Sequence, residues 1–260
     1  MKALVLAAGQ GGRLQPLTND QPKCLVDVLG RSLLARQAET FAECGITEIA
    51  VVGGYRIEKI RELGFRCFEN ERFESTNMVE SLFAARDFLS GPEDLIISYG
   101  DIVYEPDNLR LLMEAEADVS LMVDMNWRDY WSQRLTDPLS DAETLKFKDG
   151  DFLAELGKQP QSYDEIEAQY TGLIKICGGV IQAFCDFYDA LDRAATYDGQ
   201  PFENMYMTSF LQMLIDAGWL VRGVRVHGGW LEVDTVADLT LYEDLAKTQK
   251  LDAFCKLEQY

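Results

Sequence analysis

A single histidine, His227, stands among 260 residues, and no two of the six cysteines are spaced as C-x-x-C. The first scarcity excludes multi-histidine metal sites and leaves a Ser-His-Asp triad only one candidate base. The second removes zinc ribbons and thioredoxin-like redox pairs. Six thiols in a chain this long are also too sparse for the disulfide framework of a small secreted domain. Positive charge is scarce as well: 24 Lys and Arg face 44 Asp and Glu, for a net charge of −20. A general nucleic-acid binder needs a basic face to displace counterions, and an anionic membrane surface repels such a chain, so neither partner is expected. No apolar run approaches the roughly 20 residues that a spanning helix needs. The opening Met1–Gly9 run is too short for a signal peptide and leads into glycines and Arg13. A reducing, cytoplasmic compartment is the expectation.

The hydrophobic fraction of 47% is ordinary for a globular protein and supports a buried core. Ala3–Ala8 is apolar throughout, as a strand buried on both faces would be. Ser32 caps a helix pattern through Leu33, Leu34, Gln37, Ala38 and Phe41 that stops at Gly45. Strands follow at 49–54, 65–69, 95–98 and 119–123, with helices at 57–63, 78–89 and 109–115 between them. Strand–helix alternation with short connections implies an α/β, Rossmann-like fold with a mostly parallel central sheet flanked by helices. After Val123 the pattern changes to short extended runs at 145–147 and 152–154 around an Asp149-Gly150 turn, which reads as a small antiparallel insertion. Helices at 180–194 and 206–217, a strand at 221–226, the segment 230–234 and a last helix complete the chain. The expected organisation is one domain, 1–260: a nucleotide-binding half at 1–123, an acceptor-binding insertion at 124–178, and 179–260 completing sheet and helices.

The most informative stretch runs from Leu6 to Lys23. Ala7, Ala8, Gly9, Gln10, Gly11 and Gly12 follow directly on the buried strand, where glycines let backbone N–H groups converge on an anion. The loop lacks the Gly-Lys-Ser/Thr end of a Walker loop, and Leu14 sits where a dinucleotide fingerprint needs its third glycine. Arg13 within the loop and Lys23 behind Pro22 add two cations.

Leu6, Gly9, Gly11, Arg13, Pro16, Pro22 and Lys23, with their spacing, resemble the signature of the nucleotidyltransferases that make activated sugars and alcohols. One departure is Gly12, where that family usually carries Ser or Thr. The resemblance implies that Arg13 and Lys23 are catalytic, that the loop from Leu6 to Gly12 cradles the triphosphate, and that Mg²⁺ is the cofactor. Tyr99-Gly100-Asp101 lies at the carboxyl end of an apolar strand, where open α/β sheets bind ligands. The segment 230–235 resembles the family's late strand bearing a second metal aspartate, so Asp101 and Asp234 are the expected metal pair. Glu232 lies two residues before Asp234, on the same face of a strand.

The stretch 73–82 resembles the cytidylyltransferases acting on phosphocholine and aminoalkyl phosphonates, which implies that Asn77 and Ser81, with Gly100, face the nucleotide. Asn77-x-x-Glu80 also reads as a capping box. Candidate acceptor contacts are Trp127, Trp131, Lys158, Glu167, Tyr170 and Glu232. Aromatic faces beside carboxylates would suit an ammonium group, and Lys158 stands in a Lys-x-Pro segment like one that meets the acceptor phosphate in sugar-active relatives. Local charge points the same way. Residues 1–23 carry three bases against one acid, a local +2, while residues 114–168 carry 14 acids against five bases, a local −9. The expected reaction is CMP transfer from CTP to a small phosphate or phosphonate monoester. Sugar-1-phosphate nucleotidyl transfer from UTP, dTTP or CTP, and non-catalytic nucleotide binding, are the alternatives. The acceptor and the oligomeric state, a homo-oligomer included, stay open. His227 is expected to be structural.

Overall fold

The computed structural model describes residues 1–257, so the end of the expected 179–260 segment extends beyond the described residues. Its centre is a nine-stranded sheet. The strands of the first half are β1 (Lys2–Ala7), β2 (Ile49–Gly53), β3 (Arg66–Glu69) and β4 (Leu95–Tyr99). A short strand, β5 (Ile102–Tyr104), lies outside this sheet and is followed by β6 (Val119–Asp124). The hairpin β7 (Leu145–Lys148) and β8 (Phe152–Leu156) precedes β9 (Gln169–Ile176), β10 (Val221–Val226) and the short β11 (Trp230–Glu232). The sheet order is β3-β2-β1-β4-β9-β6-β10-β8-β7. Parallel pairing joins β3, β2, β1 and β4, and again β6 with β10. Because β9 is antiparallel to both β4 and β6, these two run the same way, and only β9 and β8 oppose the common direction.

Alternation along β1 explains the layering. Ala3, Val5 and Ala7 join one core and Leu4 and Leu6 the other, all nearly inaccessible to water. Helices α1 (Leu33–Glu43), α4 (Pro106–Glu114), α5 (Trp127–Arg134) and α8 (Val236–Lys247) contribute to the first core. Helices α3 (Met78–Ala84), α6 (Ile181–Asp189) and α7 (Met207–Asp216) contribute to the second, while α2 (Ile57–Glu62) packs beside β3. Ser32 caps α1 by accepting the Ala35 N–H at 3.2 Å.

Several local expectations need correction. Helix α3 gives way at Ala85 to a single 3-10 turn, and α6 ends at Asp189, short of 194. The capping box at Asn77 does not form: the Asn77 carboxamide accepts the adjacent Met78 N–H, and Glu80 turns to Arg72 and Tyr188. A capping box forms instead at Thr235 and Asp238, opening α8. Residues 127–134 are helical, with Trp127, Tyr130 and Trp131 at i, i+3 and i+4 turned into the core. Among the described residues no helix is long and apolar enough to cross a membrane.

Candidate active site

Two carboxylates 133 residues apart meet because β5 and β11 pair antiparallel, with Glu232 opposite Ile102. Asp101 sits in the turn just before β5, and its carbonyl accepts the Val233 N–H at 2.9 Å. The turn is held from below by Gln37 on α1, whose amide donates to the Tyr99 and Ile102 carbonyls and accepts from the Ser98 hydroxyl. One carboxylate oxygen from each of Asp101, Glu232 and Asp234 lies within 4.8 Å of the others.

Three cations share this cluster. Lys23 Nζ lies 2.8 Å from Asp101 Oδ2 and 2.6 Å from Asp234 Oδ1. Burial alone would lower the Lys23 pKa, but the two carboxylates outweigh it and hold the ammonium firmly protonated. Arg13 reaches Asp234 Oδ1 at 3.0 Å with its side chain largely exposed. Arg134, from the last turn of α5 and 3% exposed, forks to Glu232 at 2.6 Å, Asp238 at 2.9 Å and Asp234 at 3.5 Å. Burial pushes the Asp234 carboxyl up, yet Lys23, Arg13 and Arg134 together bring it below its ordinary value. Glu232 moves the other way, because burial and the neighbouring Asp234 and Asp101 outweigh Arg134. Asp238 in turn accepts the Asp234 and Thr235 N–H groups, so the α8 cap fixes the Asp234 backbone.

The residues fit a divalent cation. Asp101 Oδ1 is buried without a hydrogen-bond partner, and an orphaned carboxylate oxygen beside two further carboxylates is the hard-oxygen donor set that Mg²⁺ favours.

Two adjoining cavities open on this cluster. The first, of about 190 Å³, is lined by Leu6, Ala7, Ala8 and Gly9 on one side and by Asn77, Ser81 and Gly100 on the other. A Cβ on Gly100 would lie 2.8 Å from the Leu6 carbonyl oxygen, so only glycine lets the two strand ends abut there. Gln10, Gly11 and Gly12 lie beyond this lining. Gly11 has φ +74°, and a Cβ on it would sit 2.9 Å from Lys23 Cβ, so its absence lets the lysine stem pass under the loop. Thr18 Oγ1 donates to the Gly11 carbonyl and staples the loop. Ser81 is tied to Asn70 at 3.0 Å, and the Asn77 Nδ2 donates to the Asn204 carbonyl.

The second cavity, of about 440 Å³, shares Lys23, Asn77 and Asp101 with the first. Arg13, Trp131, Tyr170, Glu232 and Asp234 also line it. Three expected acceptor residues lie elsewhere. Trp127 is a core side chain packed on Trp131 and Tyr163. Lys158 pairs with Glu155 at 2.8 Å on the surface. Glu167 is spent on the Phe147 N–H. Asp124, another acid near the aromatics, is buried and structural, accepting the Asn126 and Gly228 N–H groups and the Trp230 indole. His227 is exposed, with one weak contact to Asn126. Sequence reasoning missed Arg134, Gln37 and the cavity residues Glu143, Gln169 and Thr208. The helical spacing of 127, 130 and 131 was the available signal for Arg134, since it places residue 134 in the same helix.

A strand-end glycine loop, a lysine behind it and paired acids at neighbouring strand ends match the arrangement expected of a nucleotidyltransferase. Residues 3–153 match the MobA-like NTP transferase domain, more than half of the chain, and the protein belongs to that family. It is 44% identical over 248 residues to the CTP:phosphoglutamine cytidylyltransferase of Campylobacter jejuni, covering 92% of this chain and 98% of that one. Its fold resembles the inositol-1-phosphate CTP transferase of T. maritima, with a TM-score of 0.70, 23% identity and 98% of each chain covered. It also resembles the CTP:phosphocholine cytidylyltransferase of Streptococcus pneumoniae, with a TM-score of 0.68 and 22% identity over 96% of this chain and 99% of that one.

Proposed function

We propose that this enzyme transfers the cytidylyl group of CTP to a small phosphate-bearing acceptor, releasing pyrophosphate. The observation that carries this reading is the shared wall of the two cavities, where Lys23 and Asp101 face both the glycine loop and the larger, aromatic and acidic chamber. The 44% identity to a cytidylyltransferase over nearly the whole chain supports CTP as the donor.

In this reading an acceptor phosphate oxygen attacks the α-phosphorus in line. The bond to the β-phosphate oxygen breaks, and pyrophosphate leaves with the electron pair. The acceptor is already ionised near neutral pH, so positioning and charge neutralisation suffice. Backbone N–H groups of the loop from Ala8 to Gly12 cradle the triphosphate. Arg13 swings from Asp234 to the β- and γ-phosphates, a move its exposure permits. Lys23 shifts from its two carboxylates to oxygens of the α-phosphate and the acceptor, where negative charge gathers. Asp101 and Asp234, with Glu232 beside them, would hold Mg²⁺, which when bound neutralises phosphate charge. Asn77 and Ser81 face the base, and Trp131, Tyr170 and Glu232 the acceptor.

The test is a pyrophosphate-release assay over nucleoside triphosphates and acceptors, with Mg²⁺ or with chelator. Release with CTP and phosphorylated amines or amides, abolished by chelator, is expected. Release only with UTP or dTTP and sugar 1-phosphates would replace the reading with the sugar alternative. CTP binding without release on any acceptor would indicate a non-catalytic binder.

A further inference from the structure

The larger cavity contains a carboxylate that the transfer chemistry leaves unused. Glu143 is partly buried, and its side chain lines the chamber. Its backbone is fixed on both sides by the buried Gln169 side chain: the Glu143 N–H donates to Oε1 at 3.1 Å, and its carbonyl accepts from Nε2 at 2.5 Å. Its own Oε1 accepts a long bond, 3.4 Å, from Thr208 Oγ1. Gly157 makes that approach possible, since a Cβ there would lie 2.5 Å from Thr208 Cβ. This is a built position, clamped from two elements.

What the position lacks is a cation. Asp101, Glu232 and Asp234 each pair with Lys or Arg, whereas Glu143 forms no ion pair among the described residues. Among the described residues the only basic side chains lining the chamber are Arg13 and Lys23, both engaged with Asp234 and, for Lys23, Asp101. Around Glu143 the wall offers Trp131, whose indole N–H is anchored on Asp141 at 3.2 Å, together with Tyr206 and Tyr170. The Tyr170 hydroxyl is buried, and its ring packs edge-on against Tyr99 with centroids 5.8 Å apart. A partly desolvated carboxylate without a counter-ion is costly. A ligand ammonium would relieve it, bringing three donors for Glu143 and the neighbouring hydroxyls and a charge that aromatic faces attract.

We propose that Glu143 is the specificity-determining residue for an acceptor bearing a primary ammonium group, which it binds directly while the acceptor's phosphorylated end lies at Lys23. This rests on the transfer reaction proposed above and deepens it to the substrate class: amino-bearing phosphorylated acceptors over neutral-bodied ones.

The test compares acceptors that differ only in the amine: phosphoglutamine against its analogue lacking the α-amino group, and 2-aminoethyl phosphate against 2-hydroxyethyl phosphate. Binding is measured calorimetrically on the full chain without CTP, and pyrophosphate release with it. The wild type should favour the amine member of each pair by about 10- to 100-fold, the range of a charged hydrogen bond. Glu143→Gln should erase that preference while leaving the KM for CTP and binding of the amine-free members unchanged, and Glu143→Asp should restore part of it. A wild type without amine preference, or one that binds neither member, overturns the assignment. So does a Glu143→Gln variant that keeps the preference. Loss of the assignment with CTP-dependent release intact leaves the reaction standing. Absence of release on every acceptor sinks the reaction itself.

Discussion

Replacing Lys23 by alanine should move two observables in opposite directions. The ammonium bridges Asp101 and Asp234 at 2.8 and 2.6 Å, with the lysine side chain 16% exposed. Asp234 keeps Arg13 and Arg134 as partners. Asp101 loses its one salt-bridge partner among the described residues, and its other carboxylate oxygen is already orphaned. The stability cost has a ceiling, because a stranded Asp101 can take a proton. From an ordinary aspartate pKa near 3.9 to pH 7, that protonation costs about 4 kcal/mol. A loss of about 2–4 kcal/mol is expected, at the lower end of what breaking a buried pair from one side costs because both side chains keep 16% exposure.

Turnover should fall about 10²- to 10³-fold, the usual effect of removing one donor that stabilises transition-state charge. Divalent binding to the nucleotide-free protein should instead tighten. Lys23 occupies the carboxylates that would hold the ion, and displacing a charged hydrogen-bonded partner costs about 1.5–3 kcal/mol, or roughly 10- to 100-fold in affinity. Mn²⁺ titration followed by electron paramagnetic resonance reads this without any reaction, and urea melts confirm that the variant is folded. Unchanged Mn²⁺ affinity in a folded variant would refute the competition, and turnover within threefold of wild type would refute the catalytic role.

Two further outcomes follow from the same geometry. Arg134→Ala should cost about 3–5 kcal/mol in urea unfolding, because buried Asp238 and half-buried Glu232 are left without their cation. Arg134→Lys should recover only part of this, since one ammonium cannot fork to three carboxylates, and a loss below about 1 kcal/mol would show the cluster to be solvated. Glu143 is pushed up to about 7 by burial and by Asp141 and Asp198, against the Thr208 hydrogen bond. A carboxyl raised on folding stabilises most below its unfolded pKa and loses that contribution as pH rises through the folded value. Glu143→Gln should therefore gain about 2 kcal/mol relative to wild type between pH 5 and pH 8. Parallel stability curves for the two proteins would contradict the burial of that charge.

The sheet was legible because apolar strands buried on both faces announce themselves, and the glycine loop because residues 6–23 are contiguous in sequence. Asp101 and Asp234 could be singled out from strand-end position, but their meeting depends on the β5–β11 register, which no local pattern encodes. Residues 124–170 were harder. Trp127 and Trp131 stand out by type as aromatics, but their spacing is that of a helix, and the same helix carries Arg134, which grips three of the site's acids. Lys158 and Glu167 are plausible by type, yet each is spent on a residue of the β7–β8 hairpin, Glu155 and the Phe147 N–H. Side-chain chemistry identifies what a residue can do, and tertiary pairing decides whether it is free to do it.

That distinction bears on how a chain of net charge −20 would receive a triphosphate. The deficit of positive charge is small at the carboxylate cluster, where Lys23, Arg13 and Arg134 face Asp101, Glu232, Asp234 and Asp238. Four acids against three cations leave that set a formal −1. Of the three cations only Arg134 is locked, buried between its acids; Lys23 and Arg13 face the cavity. A divalent ion brings the same charge of +2 that these two side chains now supply to the carboxylates. Its arrival with the nucleotide would free both for the phosphates without leaving an acid unpaired. In the proposed reaction these ion pairs would spare the enzyme bare carboxylates before substrate comes, and would make metal binding and triphosphate binding mutually favourable. Without Lys23 that coupling should weaken even as the metal binds more tightly alone.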